Sequence, residues 1–184
     1  MIDVLDLGAS LYIPGTKPNF SSFLEKNKQI RSVIIDTEDS IHAIDIPMAE
    51  KNIEAELNRL SKLTYKKSFI FLRVKDSMHF KRIKNHPIAH LIDGYVLPKY
   101  NHISAPKYNK YINEEDVIMP IIENELFDTA KLDSCFGYID QIKNSVLCVR
   151  VGITDIFNLF SLRRPKESTI YTHPIGARVV TDLL

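Results

Sequence analysis

The chain has 184 residues, of which 45% are apolar and 26% charged, with 24 basic side chains against 23 acidic ones and a formal net charge of +1. That is the mixture of an ordinary soluble globular domain large enough to bury a core. The charge balance excludes nucleic-acid binding by bulk charge, and no stretch approaches the roughly 18 uninterrupted apolar residues of a membrane helix.

In chain order, residues 11–13 read as a short strand closed by Pro14-Gly15, and residues 22–28 as a first helix. Ser32–Asp36 is a near-continuous apolar run, the mark of a strand buried on both faces. Pro47 opens a second helix, where its missing N–H does no harm, and Met48, Ala49, Ile53, Leu57 and Leu60 follow at helical spacing. Residues 69–72 form the next strand; residues 80–85 are a weak helix that His86-Pro87 ends. Gly94–Leu97 is a strand stopped by Pro98, and residues 101–113, rich in Tyr, Lys and Asn, read as an exposed loop with a poor helix. Residues 117–122 are a strand that contains Pro120, which requires a bulge or a strand-end position. Helical patterns over 126–142, 155–162 and 175–184 flank a last strand at 146–151.

Strands alternating with helices, and strands apolar on both faces, point to a parallel sheet in one α/β domain spanning 1–184, with about six βα units. The two cysteines make no disulfide framework and lack C-x-x-C spacing; they read as inert thiols in a reducing cytoplasm. The N-terminus, MIDVLDLGAS, lacks the basic start and apolar core of a signal peptide. No H-x-x-x-H, G-x-G-x-x-G or P-loop is present. His42 and the basic group Arg163, Arg164 and Lys166 read as loop residues.

In parallel α/β folds the chemistry gathers at the C-terminal strand ends. Asp36, Glu38 and Asp39 follow the second run, Arg73 the third, Lys99 the fourth and Glu123 the fifth; Gly152 and Asp155 follow the sixth. On one rim these groups would suit a divalent cation and an anionic, oxygen-rich ligand. Mg²⁺ takes one or two carboxylates and leaves the remaining positions to water and substrate, and Glu123 and Asp155 could supply them. Arg73 offers the planar fork that fits a carboxylate. A metal ion beside such an arginine can polarise a carbonyl and stabilise an enolate.

The same residues resemble a known family. Leu11-Tyr12-Ile13-Pro14-Gly15 with Lys17-Pro18 is similar to the L-F-V-P-G-x-R-P opening of citrate lyase β-subunit-like proteins of the HpcH/HpaI aldolase family. Residues 34–40 resemble its L-D-L-E-D-S/A segment, and Phe71-Leu72-Arg73-Val74 its V-R-V-N, with Lys75 for Asn. Residues 94–99 match G-x-x-L-P-K, Ile121-Ile122-Glu123 matches I-I/L-E with Asn124 for Thr, and residues 152–156 resemble G-x-x-D-L. The family's arginine three residues before the opening motif is Gly8 here. The opening and the segment 172–178 are closer to a divergent branch encoded with tellurite-resistance and stress-response genes.

The resemblance implies a TIM-type (β/α)8 barrel and a Mg²⁺-dependent carbon–carbon lyase acting on a small oxo acid, with acyl-CoA as a further substrate class. By motif position Glu123 and Asp155 would bind Mg²⁺. Arg73 would hold the substrate carboxylate, Glu38 and Asp39 would line the catalytic site, and Lys99 would be a strand-end contact to substrate or structure. A full barrel has eight strands and about 250 residues. The expectation is therefore a barrel truncated to about six units, with an open edge covered by a homo-oligomer or another association. The alternative is an inactive fragment or partner subunit.

Overall fold

A computed structural model of the protein describes residues 2–63 and 68–183. Six strands form one parallel sheet in sequential order: β1 (Ser10–Pro14), β2 (Ser32–Asp36), β3 (Phe69–Arg73), β4 (Gly94–Leu97), β5 (Ile118–Ile122) and β6 (Arg150–Val151). Helices separate them: α1 (Phe20–Lys26), α2 (Ile46–Ser61), α3 (Ser77–Lys84), α4 (Ala105–Asn109) and α5 (Thr129–Asp140), with α6 (Ile153–Leu159) and α7 (Pro174–Leu183) after β6. The expected helix at 175–184 is α7; Leu184 lies outside the described residues. Among the described residues no helix is long and apolar enough to cross a membrane.

The period-two alternation of the strands sorts their side chains into two cores. Ile34, Phe71, Val96, Met119 and Ile121 share one cluster with Leu7 inside the curl of the sheet. Ile13, Val33, Ile35, Ile70, Leu72, Tyr95, Leu97, Ile118 and Ile122 point the other way, against Phe20 and Leu24 of α1, Ile53 and Leu57 of α2, Phe80 of α3 and Ile139 of α5. Burial on both faces explains the near-continuous apolar runs. The sheet is curled: the Arg150 guanidinium of β6 lies 5.6 Å from the centre of the Tyr12 ring of β1. The result is six βα units of a TIM-type barrel in half-barrel form. Among the described residues β1 and β6 each have a strand on one side only.

Pro120 sits where the ladder tolerates it. Ile118 and Ile122 turn their carbonyls toward the β6 side, accepting from the N–H groups of Leu147 and Gly152 at 2.9 Å each. The absent N–H of Pro120 faces that same side. There the pairing is interrupted between an isolated bridge at Val146 and the start of β6 at Arg150. The interruption also shortens the expected 146–151 strand to two residues.

Two other segments differ from the sequence reading. Residues 101–113 hold only the five-residue α4 and stay largely exposed or half-buried, but Tyr108 of α4 is buried and stacks on buried Tyr100, with ring centres 6.2 Å apart. Tyr108 is core, and Tyr111 packs half-buried against it. The 126–142 helix breaks at Asp128, whose side chain accepts from the Lys131 N–H and caps α5 after a short 3-10 turn at Asn124–Phe127. α3 starts at Ser77 because Asp76 caps it through the N–H groups of Met78 and His79.

Gly94 marks a tight crossing. A Cβ there would stand 2.5 Å from the Val117 carbonyl oxygen and 2.9 Å from Phe71 Cε1. Gly94→Ala forces the start of β4 away from its neighbours and is expected to cost about 1–3 kcal/mol. A urea titration would show this as a lowered midpoint at unchanged slope.

Candidate active site

The C-terminal strand ends line an open cleft of about 580 Å³, walled by Tyr12, Asp39, Arg73, Glu123, Arg150 and Asp155 among others. The turn after β2 builds one side. Asp36 accepts from the backbone N–H groups of Glu38 (2.9 Å) and Ser40 (3.0 Å), which folds residues 36–40 tightly over the strand end. Register places Arg73 of β3 directly beside Asp36. The pair is bidentate: Nε to Oδ1 at 2.6 Å and Nη2 to Oδ2 at 2.7 Å. Arg73 Nη1 then reaches Glu38 Oε2 and Asp39 Oδ2, each at 3.2 Å. Burial alone would raise the Asp36 pKa, but the hydrogen bonds and charge of Arg73 together with the bonds from Glu38 and Ser40 outweigh it and hold the carboxyl below its ordinary value.

Lys99 completes this side. It adopts a left-handed backbone (φ 48°), rare for a residue with a side chain, and so returns its ammonium over the β2 turn. There it pairs with Glu38, and it lies 3.6 Å from Asp39 Oδ1. Burial raises the Glu38 pKa despite the opposing pull of Lys99. The sequence-predicted residues Glu38, Asp39, Arg73 and Lys99 thus form one ionic cluster. His42 stands apart from it, exposed before a short turn.

The opposite side is built differently. Glu123, buried at the end of β5, and Asp155, in the first turn of α6, converge over Gly152. A Cβ on Gly152 would stand 2.5 Å from Glu123 Cγ and 3.3 Å from Asp155 Oδ2. Glycine is what lets the two carboxylates approach across the backbone. The Lys99 N–H is 3.4 Å from Glu123 Oε1. Among the described residues neither carboxylate has an ion-pair partner, unlike the acids of the β2 turn. Burial first, and the neighbouring Asp155 charge after it, push the Glu123 pKa up to about 7, against the pull of Lys99.

No group of three His, Cys, Asp or Glu side chains among the described residues is arranged to hold a metal. A hard divalent cation that keeps several waters does not need three. The residues present are compatible with one: the Glu123 and Asp155 side chains both lie against Gly152, and the Asp155 charge raises the Glu123 pKa, a repulsion that a dication would relieve.

A model of the carbon–carbon bond lyases of the TIM-barrel fold matches residues 1–184. The chain belongs to that family. No curated protein gives a significant match. For this lyase-family chain the structure brings all the sequence-predicted site residues to one rim. It also adds some. Tyr12 lies between two guanidinium groups, with Arg73 5.2 Å and Arg150 5.6 Å from its ring centre. Arg150 was legible as a lone arginine inside the apolar 146–151 run. Cys135 and Cys148 are free thiols, buried and half-buried, and neither lines the cleft.

Proposed function

We propose that the chain is a Mg²⁺-dependent carbon–carbon lyase of the citrate lyase β-subunit-like branch of HpcH/HpaI aldolases, acting on a small oxo acid. The observation that carries this reading is the placement of Glu123 and Asp155 together at Gly152, with no ion-pair partner among the described residues, beside a guanidinium-lined wall. Glu123 and Asp155 would hold the cation. When bound, a divalent cation supplies Lewis-acid polarisation of a carbonyl oxygen, the function needed when a bond to the neighbouring carbon breaks. Asp36, Glu38 and Asp39 hold Arg73 fixed, and Lys99 balances their charge. Arg73, enclosed by these carboxylates, is a fixed positive charge at the cleft wall. These charges are set before the ligand arrives, so little reorganisation is needed during reaction.

The test is exchange of the pyruvate methyl protons for deuterium, followed by NMR in D2O. The expected result is exchange that requires both protein and Mg²⁺ and stops on chelation. Cation binding needs ionised Glu123, whose proton is lost around pH 7 in the metal-free chain. Below that value the Mg²⁺ affinity is expected to fall about tenfold per pH unit, so half-saturation needs far more Mg²⁺ at pH 6 than at pH 8. Exchange indifferent to Mg²⁺, or none with pyruvate or oxaloacetate, would contradict the reading.

A further inference from the structure

The cleft contains two arginines, and their surroundings differ. Arg73 has its Nε/Nη2 edge closed by Asp36, and its Nη1 faces Glu38 and Asp39. The Asp36 side chain is 3% exposed. Drawing the Arg73 fork onto a ligand would leave that carboxylate buried and unpaired, a costly exchange. A two-point grip on a substrate carboxylate is therefore closed to Arg73.

Arg150 is the contrasting case. It pairs in register with Ile121, whose side chain lies in the inner core, so the arginine also faces the interior of the curl. Its guanidinium lies against the Tyr12 ring, and Nη1 is 3.9 Å from Met119 Sδ. Ring and thioether hold the group in place without neutralising it. Among the described residues Arg150 has no ion-pair partner. It lines the same cleft as Glu123 and Asp155, and its Cα is two residues, about 6.6 Å of strand, from the Gly152 cradle.

The cleft thus presents two unpaired carboxylates and one unpaired guanidinium. A 2-oxo acid is the complementary object. Its carbonyl and carboxylate oxygens are adjacent, so one end can face a cation at Glu123 and Asp155 while the carboxylate reaches Arg150. We infer that Arg150 is the receptor for the substrate carboxylate and sets the preference for 2-oxo acids, while Arg73 organises the acidic turn. This assignment rests on the oxo-acid reading of the cleft and replaces Arg73 as the carboxylate fork within it.

The experiment is calorimetric titration at pH 8 in the presence of Mg²⁺, with pyruvate and methyl pyruvate as probes, into the wild-type chain, Arg150→Gln and Arg150→Lys. Mg²⁺ alone is titrated into each as the control. The wild-type chain is expected to prefer pyruvate over its ester. Arg150→Gln is expected to lose about 10- to 100-fold in pyruvate affinity and to bind acid and ester alike, with Mg²⁺ binding unchanged. Arg150→Lys, a point charge without the fork, is expected to recover only part of the preference. Unchanged pyruvate affinity and unchanged ester discrimination in Arg150→Gln would overturn the assignment while leaving the lyase reading intact. Failure of the wild-type chain to bind any oxo acid with Mg²⁺ would overturn both.

Discussion

Replacing Asp36 with asparagine is expected to lower the stability of the chain by about 3 kcal/mol, a large share of what holds a domain of this size together. The reason is local. Arg73 is only 12% exposed in its side chain, and Asp36 supplies both oxygens of the bidentate pair. The same carboxylate accepts from the N–H groups of Glu38 and Ser40. Asparagine removes the charge and offers one oxygen where two are used, so a buried guanidinium loses its main partner. Glu38 and Asp39, each 3.2 Å from Nη1, keep part of the compensation. Denaturant titration of the variant checks this; a loss below about 1 kcal/mol for Asp36→Asn would show that the ion pair does not organise the β2 turn.

The pH dependence has a definite sign. The native Asp36 pKa lies below its ordinary value, so folding favours the ionised form. Its contribution is complete above the unfolded value, near 3.8, and is lost as pH falls through the lowered native value. Glu123 acts oppositely. Its native pKa is raised from 4.5 to about 7, so its ionisation destabilises the metal-free chain as pH rises between those values.

Glu123→Gln is therefore expected to do two things at once. It removes one of the two proposed cation donors, and Mg²⁺-dependent stabilisation and pyruvate proton exchange should fall by about 100-fold or more. It also removes the cost of holding a buried carboxylate ionised beside Asp155. The metal-free variant should be more stable than the wild-type chain at pH 8 by about 1–2 kcal/mol, and the two should converge at pH 5. A residue that only supported the fold would not gain stability on replacement, whereas one kept for ligand binding at a cost to stability would. Thermal melts at the two pH values, with and without Mg²⁺, separate these cases. A Glu123→Gln chain that is less stable at pH 8 and still responds to Mg²⁺ would sink the assignment.

The fold was legible where burial on both strand faces leaves a strong pattern. Ser32–Asp36 and Gly94–Leu97 are strands with the bounds read from sequence, because each is an apolar run closed by a charged residue or a proline. Legibility fell where tertiary contacts decide. Tyr108 looks like a loop residue until the core it fills is assembled, and β6 is short because pairing lapses opposite Pro120. The rim residues could be found because strand ends in a parallel sheet share one edge. Their division of labour could not. Sequence gives Arg73 and Arg150 the same chemistry; only geometry shows that one is enclosed by three carboxylates and the other is not.

On the proposed reading Glu123 and Asp155 hold a cation that works together with an oxo-acid site. Calorimetric titration of Mg²⁺ into the wild-type chain at pH 8, with and without saturating pyruvate, tests it most directly when repeated with Glu123→Gln and Asp155→Asn. The expected result is one Mg²⁺ site, tighter when pyruvate is present, and its loss in both variants. Mg²⁺ binding that is unchanged in either variant, or indifferent to pyruvate in the wild-type chain, would contradict it.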